Sequence, residues 1–325
     1  MAGVVPTGYP AGQPSGLAMV RAANGLWSVT TPSALPAGVY RYAFRIDGVR
    51  TSDPLATRHA EDRRGVSSLI EVPGQPAALH EWQSGIPHGT VSKVNYWSKA
   101  TEDLRRAHVY TPPGYMRGKG RYPVLYLLHG AGGSDDSWIS SGRVDFILDN
   151  LIAAGKVRPM IVVMPQGHTP YRPGVSVFSN REFSDDLLGN LVPWVDANFR
   201  TIPGARNRAM AGESMGGQHT LHVGLIHPEV FGSIGVFSIG LGTGGAAEAK
   251  AFGDTHSAAL ARSAKELRLM YMAVGRDDVV YDTVAPARAM LDRFGIRHVY
   301  RETDGGHTWI NWRNYLADFT PRLFK

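Results

Sequence analysis

With 325 residues, at roughly 100–200 residues per domain, the chain predicts two domains and a core large enough to fold without staples. Charged residues make up 19% and hydrophobic ones 43%, while 38 Gly and 21 Pro together stay below the roughly 25–30% that marks low complexity; disordered, collagen-like and coiled-coil readings are excluded. The absence of cysteine removes disulfide scaffolds, Cys-ligated zinc, iron–sulfur clusters and thiol nucleophiles, and the net charge of +6 is spread too thinly to suggest nucleic acid or a membrane surface as partner.

The opening residues Met1-Ala-Gly-Val-Val-Pro lack the basic and apolar regions of a signal peptide. A cytoplasmic protein and one whose leader has been removed both fit. No apolar run approaches the roughly 18 residues of a membrane span. Residues 1–74 read as an all-β domain. Strands are predicted at 26–31 and 39–46, the second ending at the turn pair Asp47-Gly48, and again at 66–72. Residues 75–90 have no period and carry Pro and Gly punctuation, so they are expected to link this domain to the next. The basic pairs Arg63-Arg64 and Arg105-Arg106 are read as solvated surface.

From residue 91 to 325 strands alternate with helices. The runs 124–128 and 160–164 are apolar throughout, as expected of parallel strands buried on both faces. Helical spacing is found at 144–154 and at 183–199, where Phe183, Leu187, Leu191, Trp194, Val195 and Phe199 share a face. Then follow strand 208–211, helix 215–226, strand 234–237, helix 246–262, strand 267–274, helix 283–294, strand 297–301 and a closing helix from 309. Repeated βα units predict a parallel sheet covered by helices, an α/β class.

Gly212-Glu-Ser-Met-Gly fits Gly-x-Ser-x-Gly, the turn that lifts a nucleophilic serine above a sheet between a strand and a helix. The pattern alone is weak, but an apolar strand runs into it and a helix runs out, which makes Ser214 the candidate nucleophile. The acid and the histidine then follow the serine in chain order. His298 lies inside an alternating strand run, whereas His307 follows Asp304-Gly-Gly in a loop, where a general base must hang. The acid should leave the strand that ends at Gly275; Asp278 is the first choice, then Asp277, then Asp282. The oxyanion donors are expected at the N–H of Met215 and in the loop His129-Gly-Ala-Gly-Gly, at Ala131 with Gly132 as alternative. His129 is expected to hold that loop. Trp138, Trp309, Tyr171 and Phe178 are the aromatic candidates for an apolar substrate slot. His219 and His222 have no neighbouring carboxylate set, so no metal is expected, and no phosphate-binding loop is present.

Tyr122-Pro-Val-Leu-Tyr-Leu-Leu-His-Gly-Ala-Gly-Gly, Gly212-Glu-Ser-Met-Gly-Gly, Gly275-Arg-Asp-Asp and Gly306-His-Thr-Trp together resemble the esterase D-like feruloyl and acetyl xylan esterases of the first carbohydrate-esterase family. The resemblance implies an α/β-hydrolase domain, an acyl-serine mechanism and no cofactor, and it favours Asp278 over Asp277. It also implies a feruloylated polysaccharide or a smaller ester as substrate, with an acetyl xylan or general short-chain carboxylesterase, or a serine acyltransferase on the same fold, as alternatives. The segment 38–50 followed by Asp53-Pro-Leu is similar to Ig-like, glycogen-binding-type carbohydrate modules. Such sandwiches have about seven strands in about 100 residues, so this one is expected to be truncated, serving as a carbohydrate grip, a packing platform or a wall of the substrate pocket.

Overall fold

Apolar runs bounded by turns become the middle of a large sheet. A computed structural model describes residues 3–4, 16–62, 65–74, 78–171, 173, 181–242 and 244–325. The N-terminal part holds nine short strands, β1 (Gly3–Val4), β2 (Leu17–Ala18), β3 (Val20–Arg21), β4 (Trp27–Ser28), β5 (Gly38–Tyr42), β6 (Phe44–Ile46), β7 (Val49–Thr51), β8 (His59–Asp62) and β9 (Gly65–Val72). They form a four-stranded sheet in the order β2-β1-β6-β7, a three-stranded sheet β5-β9-β8 and the pair β3-β4. The alternating run 39–46 is therefore not one strand. It changes sheets at Ala43, β5 pairing with β9 and β6 with β7 across the Asp47-Gly48 turn.

The second part is an eight-stranded mixed sheet. Its strands are β10 (Thr90–Ser98), β11 (Asp103–Thr111), β12 (Val124–Leu128), β13 (Ile161–Pro165), β14 (Arg208–Glu213), β15 (Ser233–Phe237), β16 (Leu269–Gly275) and β17 (Val299–Thr303), in the order β10-β11-β13-β12-β14-β15-β16-β17. The hairpin β10-β11 adds antiparallel to β13, and the remaining pairs are parallel. The side-chain period of two sends Val124, Tyr126 and Leu128 to one face, and Leu125 and Leu127 to the other. Helices α1 (Ser137–Ser140), α2 (Val144–Ala153) and α9 (Trp309–Phe319) cover the second face. The first is covered by α3 (Arg181–Asp186), α4 (Val192–Asn198), α5 (Met215–Gly224), α6 (Gly245–Thr255), α7 (Ser257–Glu266) and α8 (Val284–Arg293). This is the α/β-hydrolase core that the resemblance implies; the βα grammar gave the helix-covered parallel part, and the antiparallel hairpin β10-β11 makes the sheet mixed.

Three differences have local causes. The helix expected at 183–199 contains a π turn at Leu187–Leu191, immediately before Pro193, which has no N–H to give the regular ladder. The helix expected at 246–262 is two helices that break at His256, among Thr255, His256 and Ser257, residues of low helix propensity. Of the basic pairs read as solvated, Arg105 is buried and ion-paired to Asp186, and Arg106 donates to Asp135; Arg63 and Arg64 lie outside the described residues.

The two parts are joined by polar contacts. Arg41 of β5 donates to Ser137 and Ser141 of the hydrolase core, at 3.0 and 2.9 Å, and the Glu61 N–H donates to Asp136. Arg143 pairs with Glu71 at 2.8 Å. Residues 78–89, within the expected linker, lie against α2: Asn150 donates to the carbonyls of Leu79 and Glu81, and His88 meets Asp149 at 3.0 Å.

Candidate active site

The nucleophile turn is dictated by close backbone approach. Ser214 stands between β14 and α5 at φ 52°, ψ −121°, a conformation that costs about 1–3 kcal/mol for a residue with a side chain. A Cβ on Gly212 would stand 2.5 Å from the Gly216 carbonyl carbon, and one on Gly216 would stand 2.6 Å from the Leu128 carbonyl oxygen. Only glycine allows strand and helix to pass at this distance, and the Ser214 N–H, donating to Phe237 O at 2.9 Å, pins the turn. Met215 is the first residue of α5, whose opening N–H groups have no acceptor within the helix.

His307 sits in the loop between β17 and α9. Asn311 holds that loop, its amide donating to Asp304 O at 2.8 Å and lying 3.0 Å from the Tyr315 hydroxyl. His307 Nδ1 is 2.9 Å from Asp278 Oδ1. The Asp278 side chain is fully buried in the turn after β16, where its Oδ1 also accepts the Val280 N–H at 3.1 Å. Burial acts to lower the His307 pKa, but the hydrogen bond and charge of Asp278, helped by the charge of Glu213, outweigh it and hold the imidazole above its ordinary value. The competing residues stand apart. Asp277 and Asp282 are exposed, Asp304 pairs with Arg276, and His298 bonds to Ile296 O.

Glu213 escaped the sequence reading because it occupies a variable position of the Gly-x-Ser-x-Gly motif. It is buried beside Ser214 and accepts the Gly130 N–H at 2.5 Å. Desolvation pushes its carboxyl up to about 7, against the pull of His307 and the Gly130 bond. His129 bridges two loops. Its Nε2 accepts the Gly167 N–H at 2.9 Å, which leaves Nδ1 to donate to Gly130 O at 2.8 Å, and burial keeps the ring neutral by lowering its pKa.

Ser214, His307 and Glu213 line one cavity of about 840 Å³, together with Gly130, Ala131, Gly132 and Gly133 of the loop after β12. Trp309 and Trp312 form an aromatic side; the Trp312 indole donates to Ser238 at 2.9 Å, and its ring meets His307 edge-on. A further wall comes from the N-terminal strands, through Arg41, Phe44, Arg45, Arg50 and Asp62. No sequence signal placed these five beside the serine, since tertiary docking brings them there.

The expected aromatic slot is only partly present. Trp309 is on the cavity wall. Trp138 is 1% exposed, packed behind Trp309 with its indole N–H on Leu128 O at 2.9 Å, so it is core and does not line the cavity. Tyr171 is 84% exposed and away from the lining, and Phe178 lies outside the described residues. His219 stacks on Phe183 and His222 bonds to Leu241 O; among the described residues no three His, Asp or Glu side chains are grouped as a metal would need.

Residues 98–323 match a family of proteins described as "Putative esterase". An endo-1,4-beta-xylanase/feruloyl esterase of Xylanibacter ruminicola is 34% identical over 93% of this chain, which spans 40% of that relative's length. Among solved structures, a ferulic acid esterase from Anaeromyces mucronatus in complex with ferulic acid superposes with a TM-score of 0.65 at 23% identity, over 78% of this chain and 96% of that one. The enterochelin esterase of Shigella flexneri gives a TM-score of 0.68 at 20% identity, over 100% of this chain and 87% of that one. The second likeness takes in the N-terminal strands as well as the hydrolase core.

Proposed function

Because this chain belongs to that esterase family, the esterase D-like first family of carbohydrate esterases, we propose that it is a serine carboxylic-ester hydrolase that releases hydroxycinnamic acids, ferulic acid foremost, from esterified plant polysaccharide. The hydrogen bond between His307 Nδ1 and Asp278 carries the reading, because it fixes the tautomer that leaves Nε2 free to take a proton. Ser214 Oγ attacks the ester carbonyl while His307 removes its proton. The tetrahedral oxyanion forms against the N–H groups of Met215 and Ala131, and His307 then returns the proton to the leaving alcohol. Water repeats the cycle on the acyl-enzyme and frees the acid.

The acyl preference is supported by the cavity. Its volume of about 840 Å³ far exceeds the needs of an acetyl group. Trp309, Trp312 and Phe44 offer apolar surface worth about 25 cal/mol for each Å² withdrawn from water, which favours a flat phenolic acid. Incubation with methyl ferulate and with a short-chain aryl ester, followed by product analysis, tests the reading. Release of ferulate, lost in Ser214→Ala, is the expected result; cleavage of the aryl ester alone would leave a short-chain carboxylesterase.

A further inference from the structure

The cavity wall drawn from the N-terminal strands holds more positive charge than hydrolysis of a neutral ester requires. Arg41 is 8% exposed, yet among the described residues no carboxylate forms an ion pair with it. Its hydrogen bonds go to the hydroxyls of Ser137 and Ser141, and its guanidinium carbon lies 6.0 Å from the centre of the Trp309 ring. Burial lowers its pKa although the charges of Asp136, Asp62 and Glu213 act on it through space, so part of its desolvation cost remains without a direct partner. Arg45, two strand positions past Ala43 and exposed at the cavity mouth, has no ion pair with any described residue. Arg50 is different, because Asp62 neutralises it at 3.1 Å. Neither Arg41 nor Arg45 is thus met by a carboxylate in direct contact, and both line the cavity that holds Ser214.

We propose that Arg41 and Arg45 form an anion subsite, and that the preferred substrate is an ester carrying a carboxylate away from the scissile bond. This rests on the esterase reading above and extends it. Guanidinium binds carboxylate through paired N–H donors, and Arg41 is already held in place by its two serine contacts, so little freedom is lost on binding. The oxyanion does not need this charge, since the backbone N–H groups of Met215 and Ala131 are the donors proposed for it.

The test compares matched esters. The acyl-side pair is 4-nitrophenyl hexanoate and its charged counterpart 4-nitrophenyl hydrogen adipate; the alcohol-side pair is ethyl ferulate and carboxymethyl ferulate. Each gives a charged-to-neutral ratio of kcat/KM, so a general loss of activity cancels. In at least one pair the ratio should exceed 1 by about tenfold, equivalent to about 1.4 kcal/mol, and should fall as salt screens the charge. It should collapse toward 1 in Arg45→Gln, an exposed position chosen because Arg41→Gln also removes contacts that dock β5. Ratios at or below 1 in both pairs, or a preference that survives Arg45→Gln, overturn the proposal. Failure to cleave any of the four esters would instead overturn the esterase reading, so the two failures are distinguishable.

Discussion

The Gly130 N–H donates to Glu213 Oε1 at 2.5 Å, so the loop after β12 is tethered to the residue before Ser214. A Cβ on Gly130 would stand 2.4 Å from the other carboxylate oxygen. The contact therefore couples the ionisation of Glu213 to the site that Ser214 and His307 share.

Glu213→Gln keeps an oxygen acceptor for Gly130 but removes a charge that raises the His307 pKa. In the wild type, kcat/KM should rise with pH through an inflection above the ordinary histidine value of about 6.5, as His307 loses its proton. In Glu213→Gln the inflection should move to lower pH. Stability carries the opposite sign: burial raises the carboxyl from 4.5 to about 7, so its contribution is present at low pH and lost as pH rises through that window. Thermal unfolding at pH 8 should find the variant at least as stable as the wild type, and pH–rate profiles of both proteins check the first part.

Ser214→Ala and His307→Ala should each lower kcat on a chromogenic ester by about 10⁶-fold, and removal of the Asp278 carboxylate by about 10⁴-fold, the ranking found where such a trio acts as a unit. A folded Ser214→Ala protein, checked by circular dichroism, that retained several per cent of activity would remove Ser214 from the mechanism.

Asp278→Asn and Asp277→Asn separate neighbours that the sequence left one residue apart. Only Asp278 meets His307, while exposed Asp277 is held through its backbone N–H on Gly305 O. The first substitution should cost about 10⁴-fold in kcat, as loss of the tautomer-fixing acceptor does, and the second should leave kcat within about twofold. Steady-state kinetics on one ester suffices.

Trp309→Ala should raise KM for methyl ferulate more than for an acetyl ester, because only the larger acyl group covers the ring. Loss of about 40–60 Å² of contact corresponds to roughly 1–1.5 kcal/mol, or about tenfold. Trp138→Ala instead removes a buried indole from the core and should appear as a loss of about 3–5 kcal/mol in stability, read by urea unfolding.

The turn that carries Ser214 was legible in the sequence because a strand passing a helix this closely leaves little choice of residue at Gly212 and Gly216. It narrowed the acid no further than the turn after β16, since Asp277 and Asp278 differ in side-chain direction and not in type. Trp138 and Trp309 looked equivalent, both following active-site loops, but α1 turns its tryptophan toward Leu128 O, and no period reports that direction. Arg41 was hidden within an apolar alternation whose two halves belong to different sheets. Glu213 was hidden by a motif that defines its position only as variable.

The family match begins at residue 98, whereas the basic wall of the cavity is drawn from 41–62. The proposed catalytic trio and one wall of its cavity thus come from different stretches of one polypeptide. Exposed Arg45, in the N-terminal stretch, is a position where substitution should alter which esters are accepted while leaving the Ser214 turn in place. Removing the N-terminal strands leaves the reaction residues intact and strips one side from the chamber in which they work. For this architecture, a library confined to β5, β6 and β7 is the economical route to new acceptance, and activity of a truncated core on small esters says little about what the whole chain discriminates.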